Sequence, residues 1–187
     1  MKTKWSLNEL ARYEGESLML SGEMDLEKEL QKRDSEILSA SPVRFEGAMS
    51  VDGKEYILYL ELTYTLRLPS TRSLKPADVP TKLKVSEVYL SPEAETDYEE
   101  TDPDVLVIEL TKDTIDLKET AVENIVAALP SKVLTEEEKK GAGLPEGKGW
   151  RVVTEDQAKE KPKSEESGDP RFDALKALFP DEKDPKE

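Results

Sequence analysis

Between Val43 and Thr65 the chain alternates apolar and polar side chains on either side of one Asp52-Gly53 step, which leaves little choice of local fold. Val43, Phe45, Gly47, Met49 and Val51 recur with period two, the spacing of one face of a β-strand. Asp-Gly between two such runs is hairpin chemistry, because glycine reaches positive φ without steric cost. The return strand sets Tyr56, Leu58, Leu60, Leu62 and Tyr64 on one face and Ile57, Tyr59, Glu61, Thr63 and Thr65 on the other. Both faces are apolar enough for a central strand covered on both sides, and Pro69 closes it.

Around this hairpin the remaining elements fall into place. Ser6 and Glu9 make a capping box that opens a short helix carrying Leu7, Leu10 and Ala11, with Trp5 beside it. Ser17 to Glu23 reads as a strand, and Asp25 leads a charged turn or short helix through Arg33. Further strands are expected over Thr81–Leu90, with Leu83, Val85 and either Val88 or Leu90 facing inward, and over Val105–Leu110. Thr114 or Asp116 caps a helix from Leu117 to Leu129, whose broad apolar stripe suits packing on a sheet. Pro130 stops it. Thr135 to Gly149, with its run of glycines, reads as loop, and Trp150–Val153 as a short edge strand.

After a Lys, Glu and Ser tract, Asp169 is a good N-cap and Pro170 suits the first helical position. Phe172, Leu175 and either Leu178 or Phe179 then share one helical face, and Pro180 ends the run. Such a helix has something to press against, either its own domain or a partner; Arg171, Phe172, Leu175 and Leu178 are the candidate docking residues. The pattern predicts an α+β fold: an antiparallel β-sheet with one long and several short helices, and a flexible acidic C-terminal tail ending in a short helix. Residues 1–153 are expected to form a single domain, 154–168 a flexible charged linker, 169–180 the tail helix and 181–187 a disordered end.

Composition narrows the chemistry. The 187 residues contain neither cysteine nor histidine, so disulfides, thiolate zinc sites, cysteine nucleophiles and histidine-based triads are excluded. No cofactor or metal is expected. The N-terminus lacks an apolar signal core and no segment approaches a membrane-spanning run, so a cytoplasmic location is the expectation. The acidic run from Glu93 to Asp104 lacks the glycine placement and ligand spacing of a calcium loop and reads as solvated. Asp97, Asp102 and Asp104 would be the candidates for a magnesium nuclease, but they lie in one loop rather than converging from rigid elements.

Net charge is −15, from 27 basic and 42 acidic side chains, which favours basic partners over broad electrostatic binding to nucleic acid. One stretch departs from that background: Arg67, Arg72, Lys75, Lys82 and Lys84 stand against only Asp78. These five either contact RNA phosphates or are lysines and arginines placed to guard a hairpin against edge pairing. The interleaved aromatics that stacking on single strands requires are missing from the stretch.

Three motifs together resemble the YceD family, the large ribosomal RNA subunit accumulation proteins of bacteria and plastids. Leu68-Pro69-Ser70-Thr71-Arg72-Ser73-Leu74-Lys75-Pro76 is similar to a C-x-R-C-L segment, with Ser70 and Ser73 where two cysteines often stand. Gly143-Leu144-Pro145-Glu146-Gly147-Lys148-Gly149 resembles G-L-C-x-x-C-G, with Pro145 and Lys148 at the cysteine places. The tail is similar to D-P-R-F-x-x-L-x-x-L. Upstream, Lys32-Arg33-Asp34-Ser35-Glu36-Ile37 and Ser41-Pro42-Val43 resemble Gram-positive members. In cysteine-bearing relatives the two pairs look like a metal clip; without a thiolate here, that structural role would fall to packing around Leu68, Leu74 and Leu144.

The resemblance implies a non-enzymatic role in maturation or accumulation of the large ribosomal subunit and its RNA. The family is also tied by gene neighbourhood to a small zinc-ribbon protein of that subunit. Expected partners are a large-subunit precursor and ribosomal RNA or a basic ribosomal protein, with no membrane and no small-molecule substrate. An acidic binding module or chaperone for a basic ribosomal protein is the alternative.

Overall fold

A computed structural model describes residues 2–92, 106–153 and 158. The chain divides into two compact units, residues 1–139 and 140–187. The first is built on a six-stranded sheet. Strands β2 (Ser17–Met24), β4 (Val43–Asp52), β5 (Glu55–Pro69), β6 (Pro76–Leu90) and β7 (Leu106–Glu109) lie in that spatial order. The sixth strand, β3 (Ser39–Ala40), pairs with β5 beyond the end of β4. A separate ribbon joins β1 (Lys4–Ser6) to β8 (Thr114–Asp116). The helices are α1 (Leu7–Leu10), α2 (Glu27–Arg33), α3 (Leu117–Ala127) and α4 (Glu136–Lys139).

The alternation read in the sequence is the alternation of burial. Tyr56, Leu58, Leu60, Leu62, Tyr64, Leu66 and Leu68 of β5 are all buried. They belong to one core with Phe45 and Met49 of β4, Leu10 of α1, Leu30 of α2, and Leu117, Ala121 and Ile125 of α3. The α+β class follows: a sheet with helices packed on its core face. The hairpin turn sits one residue later than the Asp-Gly step implies. Asp52 pairs with Glu55, so Gly53 and Lys54 form the two-residue loop. Gly53 takes the first central position at φ 56°, the type II′ arrangement that matches strand twist.

The helix ends obey local rules. Ser6 Oγ accepts from Glu9 N–H at 3.3 Å while the Glu9 carboxylate accepts from Ser6 N–H at 3.1 Å, completing the expected capping box. Asp116, rather than Thr114, caps α3 by accepting from Lys118 N–H at 3.0 Å.

Several expectations need correction. The sheet is mixed, not wholly antiparallel: β7 runs parallel to β6, from Glu87↔Leu106 to Leu90↔Glu109. Fifteen residues separate Leu90 from Leu106, enough for the return connection that a parallel pair requires. The second face of β5 is open rather than covered along its middle, with Tyr59 54% exposed and Thr63 exposed. Tyr59 is flanked there by Ala48 and Ser86 and Thr63 by Arg44 and Lys82, so β5 is central within the sheet but not between two layers.

Strand β6 begins at Pro76 rather than Thr81. Its two prolines lie where β7 does not reach, so each missing N–H falls on an unpaired edge. Helix α3 ends at Ala127, short of Leu129, and α4 occupies part of a stretch read as loop. In the second unit Trp150–Arg151 pairs with Glu146–Gly147 as a small hairpin, β9 to β10. The predicted linker, the tail helix and the acidic run Glu93–Asp104 lie outside the described residues.

Gly47 marks the tightest contact within the sheet. A Cβ there would lie 2.0 Å from the Tyr59 carbonyl oxygen and 3.0 Å from Leu60 Cα, both backbone atoms that cannot swing aside. Gly47→Ala is expected to cost about 1–3 kcal/mol through forced strand displacement. Leu62→Ala at the fully buried centre of β5 should cost about 2–5 kcal/mol. Equilibrium denaturation by urea measures both.

Candidate functional site: the β5–β6 face and its connecting loop

The five cations singled out in the sequence occupy two places. Arg67 on β5 and Lys82 and Lys84 on β6 project from the open face, because residues paired across an antiparallel ladder share a side. Arg72 and Lys75 lie in the loop that joins the two strands.

Most of that positive charge is already answered. Arg67 Nε lies 3.5 Å from Asp78 Oδ1, and Lys82 Nζ lies 2.7 Å from Glu61 Oε1. Lys84 stands directly opposite Glu61 in the register. Arg72 turns back along the loop and donates from Nη1 to the Glu138 carbonyl at 3.3 Å. Beside Lys84 a groove of about 660 Å³ is lined by Glu46, Tyr59, Glu61 and Ser86 as well as the lysine. Two carboxylates and one ammonium suit a mixed-charge partner better than a phosphate backbone. Tyr59 is the aromatic that the cation-rich stretch lacked; it comes from the neighbouring strand, opposite Ser86.

The loop is organised by Ser70, which is fully buried. Its hydroxyl donates to Glu138 Oε2 at 2.5 Å and accepts from Arg72 N–H at 3.1 Å and, more distantly, Ser73 N–H at 3.4 Å. Its backbone N–H donates to the Lys75 carbonyl at 2.8 Å and its carbonyl accepts from Leu74 N–H at 3.0 Å. Thr71 donates through both N–H and hydroxyl to the Val133 carbonyl, each at 2.9 Å. Packing around Leu74 is not what holds the loop. That side chain is 76% exposed, at a residue with φ 60°, whereas Leu68 is buried as expected. Hydrogen bonds to Glu138 and Val133 carry the loop instead.

Glu138 itself was not singled out, although Thr135-x-x-Glu138 is the capping-box signature. Thr135 N–H donates to Glu138 Oε2 at 2.8 Å and Glu138 N–H to Thr135 Oγ1 at 3.3 Å. The Ser70 hydroxyl, then the Ser73 hydroxyl and the Thr135 N–H, hold the Glu138 carboxyl down to about 2 from an ordinary 4.5, outweighing the cost of burial. Oε1 is buried and bonded to none of the described groups.

A second buried carboxylate ties β6 to α3. Glu87 accepts from the Tyr89 hydroxyl and, at 2.6 Å, from Asn124 Nδ2. Tyr89 also shares a 2.6 Å hydrogen bond with Thr120 Oγ1, and burial drives its pKa far up. Both Glu87 oxygens, the Tyr89 and Thr120 hydroxyls and Asn124 Nδ2 all have partners, which marks the cluster as an anchor for the helix. Among the described residues no group of acidic side chains is arranged to hold a metal ion. Arg171, Phe172, Leu175 and Leu178 lie outside the described residues.

The loop, β6 and most of β5 fall within a wider sequence match. Residues 58–179 match the family described as "Large ribosomal RNA subunit accumulation protein YceD", and the chain belongs to that family. It is also 30% identical over 177 residues to "Uncharacterized protein YlbN" of Bacillus subtilis (strain 168), covering 94% of this chain and 96% of that protein. No solved structure matches the chain.

Because the folded-state pKa of Glu138 is depressed, its contribution to stability is complete above the ordinary value of 4.5 and is lost as pH falls through about 2. Glu138→Gln should be less stable than the parent at pH 7. It should also lose stability less steeply between those two pH values, as read by thermal unfolding across a pH series.

Proposed function

We propose that this chain is a non-enzymatic, cytoplasmic factor that supports accumulation or maturation of large-subunit ribosomal RNA. The observation that carries the reading is the family match over residues 58–179, which takes in most of β5, all of β6 and the Ser70–Lys75 loop. Among the described residues no helix is long and apolar enough to cross a membrane, consistent with action on a ribosomal particle. Contact with a large-subunit precursor would use the connecting loop and the open face of the β5–β6 pair.

Lys75 and Lys84 are the cations best placed for that role, since neither is engaged in an ion pair among the described residues. Arg72 serves the loop's own structure, so its replacement would confound folding with binding. Lys75→Gln with Lys84→Gln, which removes both charges without setting a new carboxylate opposite Glu61, should therefore leave thermal stability nearly unchanged. The same pair of changes should reduce co-migration of the protein with free or immature large subunits in a density gradient. A protein found only at the top of the gradient, at low and moderate salt alike, overturns particle association.

A second reading, an acidic module that binds a basic ribosomal protein, is favoured by one observation. Two of the five cations are directly paired with carboxylates and a third is turned into its own loop, in a chain of net charge −15. That reading predicts salt-sensitive binding to a purified basic ribosomal protein with no RNA present. Binding that appears only when RNA is added overturns it.

A further inference from the structure

The two sides of the main sheet are guarded very differently. On one side β7 is four residues long, and the uncovered part of β6 carries Pro76, Pro80, Lys82 and Lys84. Short strands, prolines and lysines are the devices by which natural sheets discourage a further strand. On the other side β2 runs for eight residues, Ser17-Leu18-Met19-Leu20-Ser21-Gly22-Glu23-Met24, with no proline and no lysine. It pairs only with β4 among the described strands, from Ser17↔Ser50 to Met24↔Val43. Among the described residues no strand takes up its outer row of N–H and C=O groups, which leaves that row for another chain.

We infer that β2 is a strand-addition site for an extended, basic segment of a partner protein. Charge identifies the occupant. From Glu14 to Asp25 the chain carries Glu14, Glu16, Glu23 and Asp25 and no cation. A second copy of β2 would add the same set of carboxylates beside this edge, which disfavours self-pairing, whereas lysines or arginines on an added strand would be complemented.

The two faces of β2 set the rest of the pattern. Leu20 and Met24 point to the core, while Met19, 76% exposed, and Ser21 and Glu23 lie on the open face. An added strand would continue both faces, with apolar side chains beside Leu20 and cations beside Glu23. Main-chain hydrogen bonds would supply affinity and the alternation would supply selectivity. This inference rests on the second reading above, that the chain binds a basic protein.

The test uses the full chain and two synthetic eight-residue probes, one alternating lysine with valine and the other glutamate with valine. The lysine peptide should bind at low salt and weaken as salt rises. It should also slow hydrogen exchange at every second amide of residues 17–24, those that face outward. Met19→Lys with Ser21→Lys should weaken that binding roughly tenfold, with protection in α3 unchanged as the check on folding. Equal binding of the glutamate peptide, or full affinity in the double variant, overturns the inference. Lysine-peptide binding whose protection lies away from β2 overturns the edge while sparing the basic-partner reading. No binding of the lysine peptide overturns both.

Discussion

Pairing of β5 on both sides is the constraint from which the rest of the first unit follows. Over fifteen residues this strand is bonded to β6 from Glu55↔Leu90 to Pro69↔Pro76, and β4 flanks it from Asp52↔Glu55 to Arg44↔Thr63. A slip of one residue would turn Leu58, Leu60 and Leu62 outward and bring Tyr59, Glu61 and Thr63 into the core. Since one face is buried against α1, α2 and α3, the register is strongly specified. The same register sets Arg67, Lys82 and Lys84 on the open side together with Glu46 and Glu61.

At one end of that pair the chain solves a local problem by hydrogen bonding. The Ser70–Lys75 loop must reverse direction with its backbone polar groups satisfied. Ser70 does so by bonding within the loop and to Glu138, while Thr71 reaches Val133. The resemblance to cysteine-bearing family members places Ser70 and Ser73 where thiols often stand. In this chain a carboxylate and two serine hydroxyls occupy the neighbourhood, and the interaction is strongest when Glu138 is ionised. Stability at this end of the sheet is thereby tied to acid pH rather than to redox state.

Electrostatics gives the molecule its direction. Lys82 on β6 is matched by Glu61 and Arg67 on β5 by Asp78, whereas among the described residues the carboxylates on and beside β2 face one cation across the ladder, Arg44 opposite Glu23. The proposed binding of a basic polypeptide draws on this asymmetry: part of the basic stretch is paired with the chain's own carboxylates, while acidic residues line the β2 edge.

Much of the local structure was legible in the residues. Ser6 and Glu9, the Asp52–Gly53 region, the alternation through β4 and β5, and Asp116 at the start of α3 announce themselves, because capping, turn conformation and strand period depend on near neighbours. Thr135 and Glu138 carried the same kind of signal but were masked by the glycine-rich stretch that follows. Other features were not legible. The parallel pairing of β7, the open face of β5, the placing of Tyr59 beside Ser86, and the partners of Glu87 and Glu138 all join residues distant in sequence. Sequence alone therefore determined the main strands and the long helix and which side of each is apolar, since these follow from short-range sterics and periodicity. It did not determine α4 or the short strands β1, β3 and β8. Only the tertiary structure decided which cations keep their charge available, which buried carboxylates find donors and which edge stays open. Those outcomes depend on which strand lies next to which.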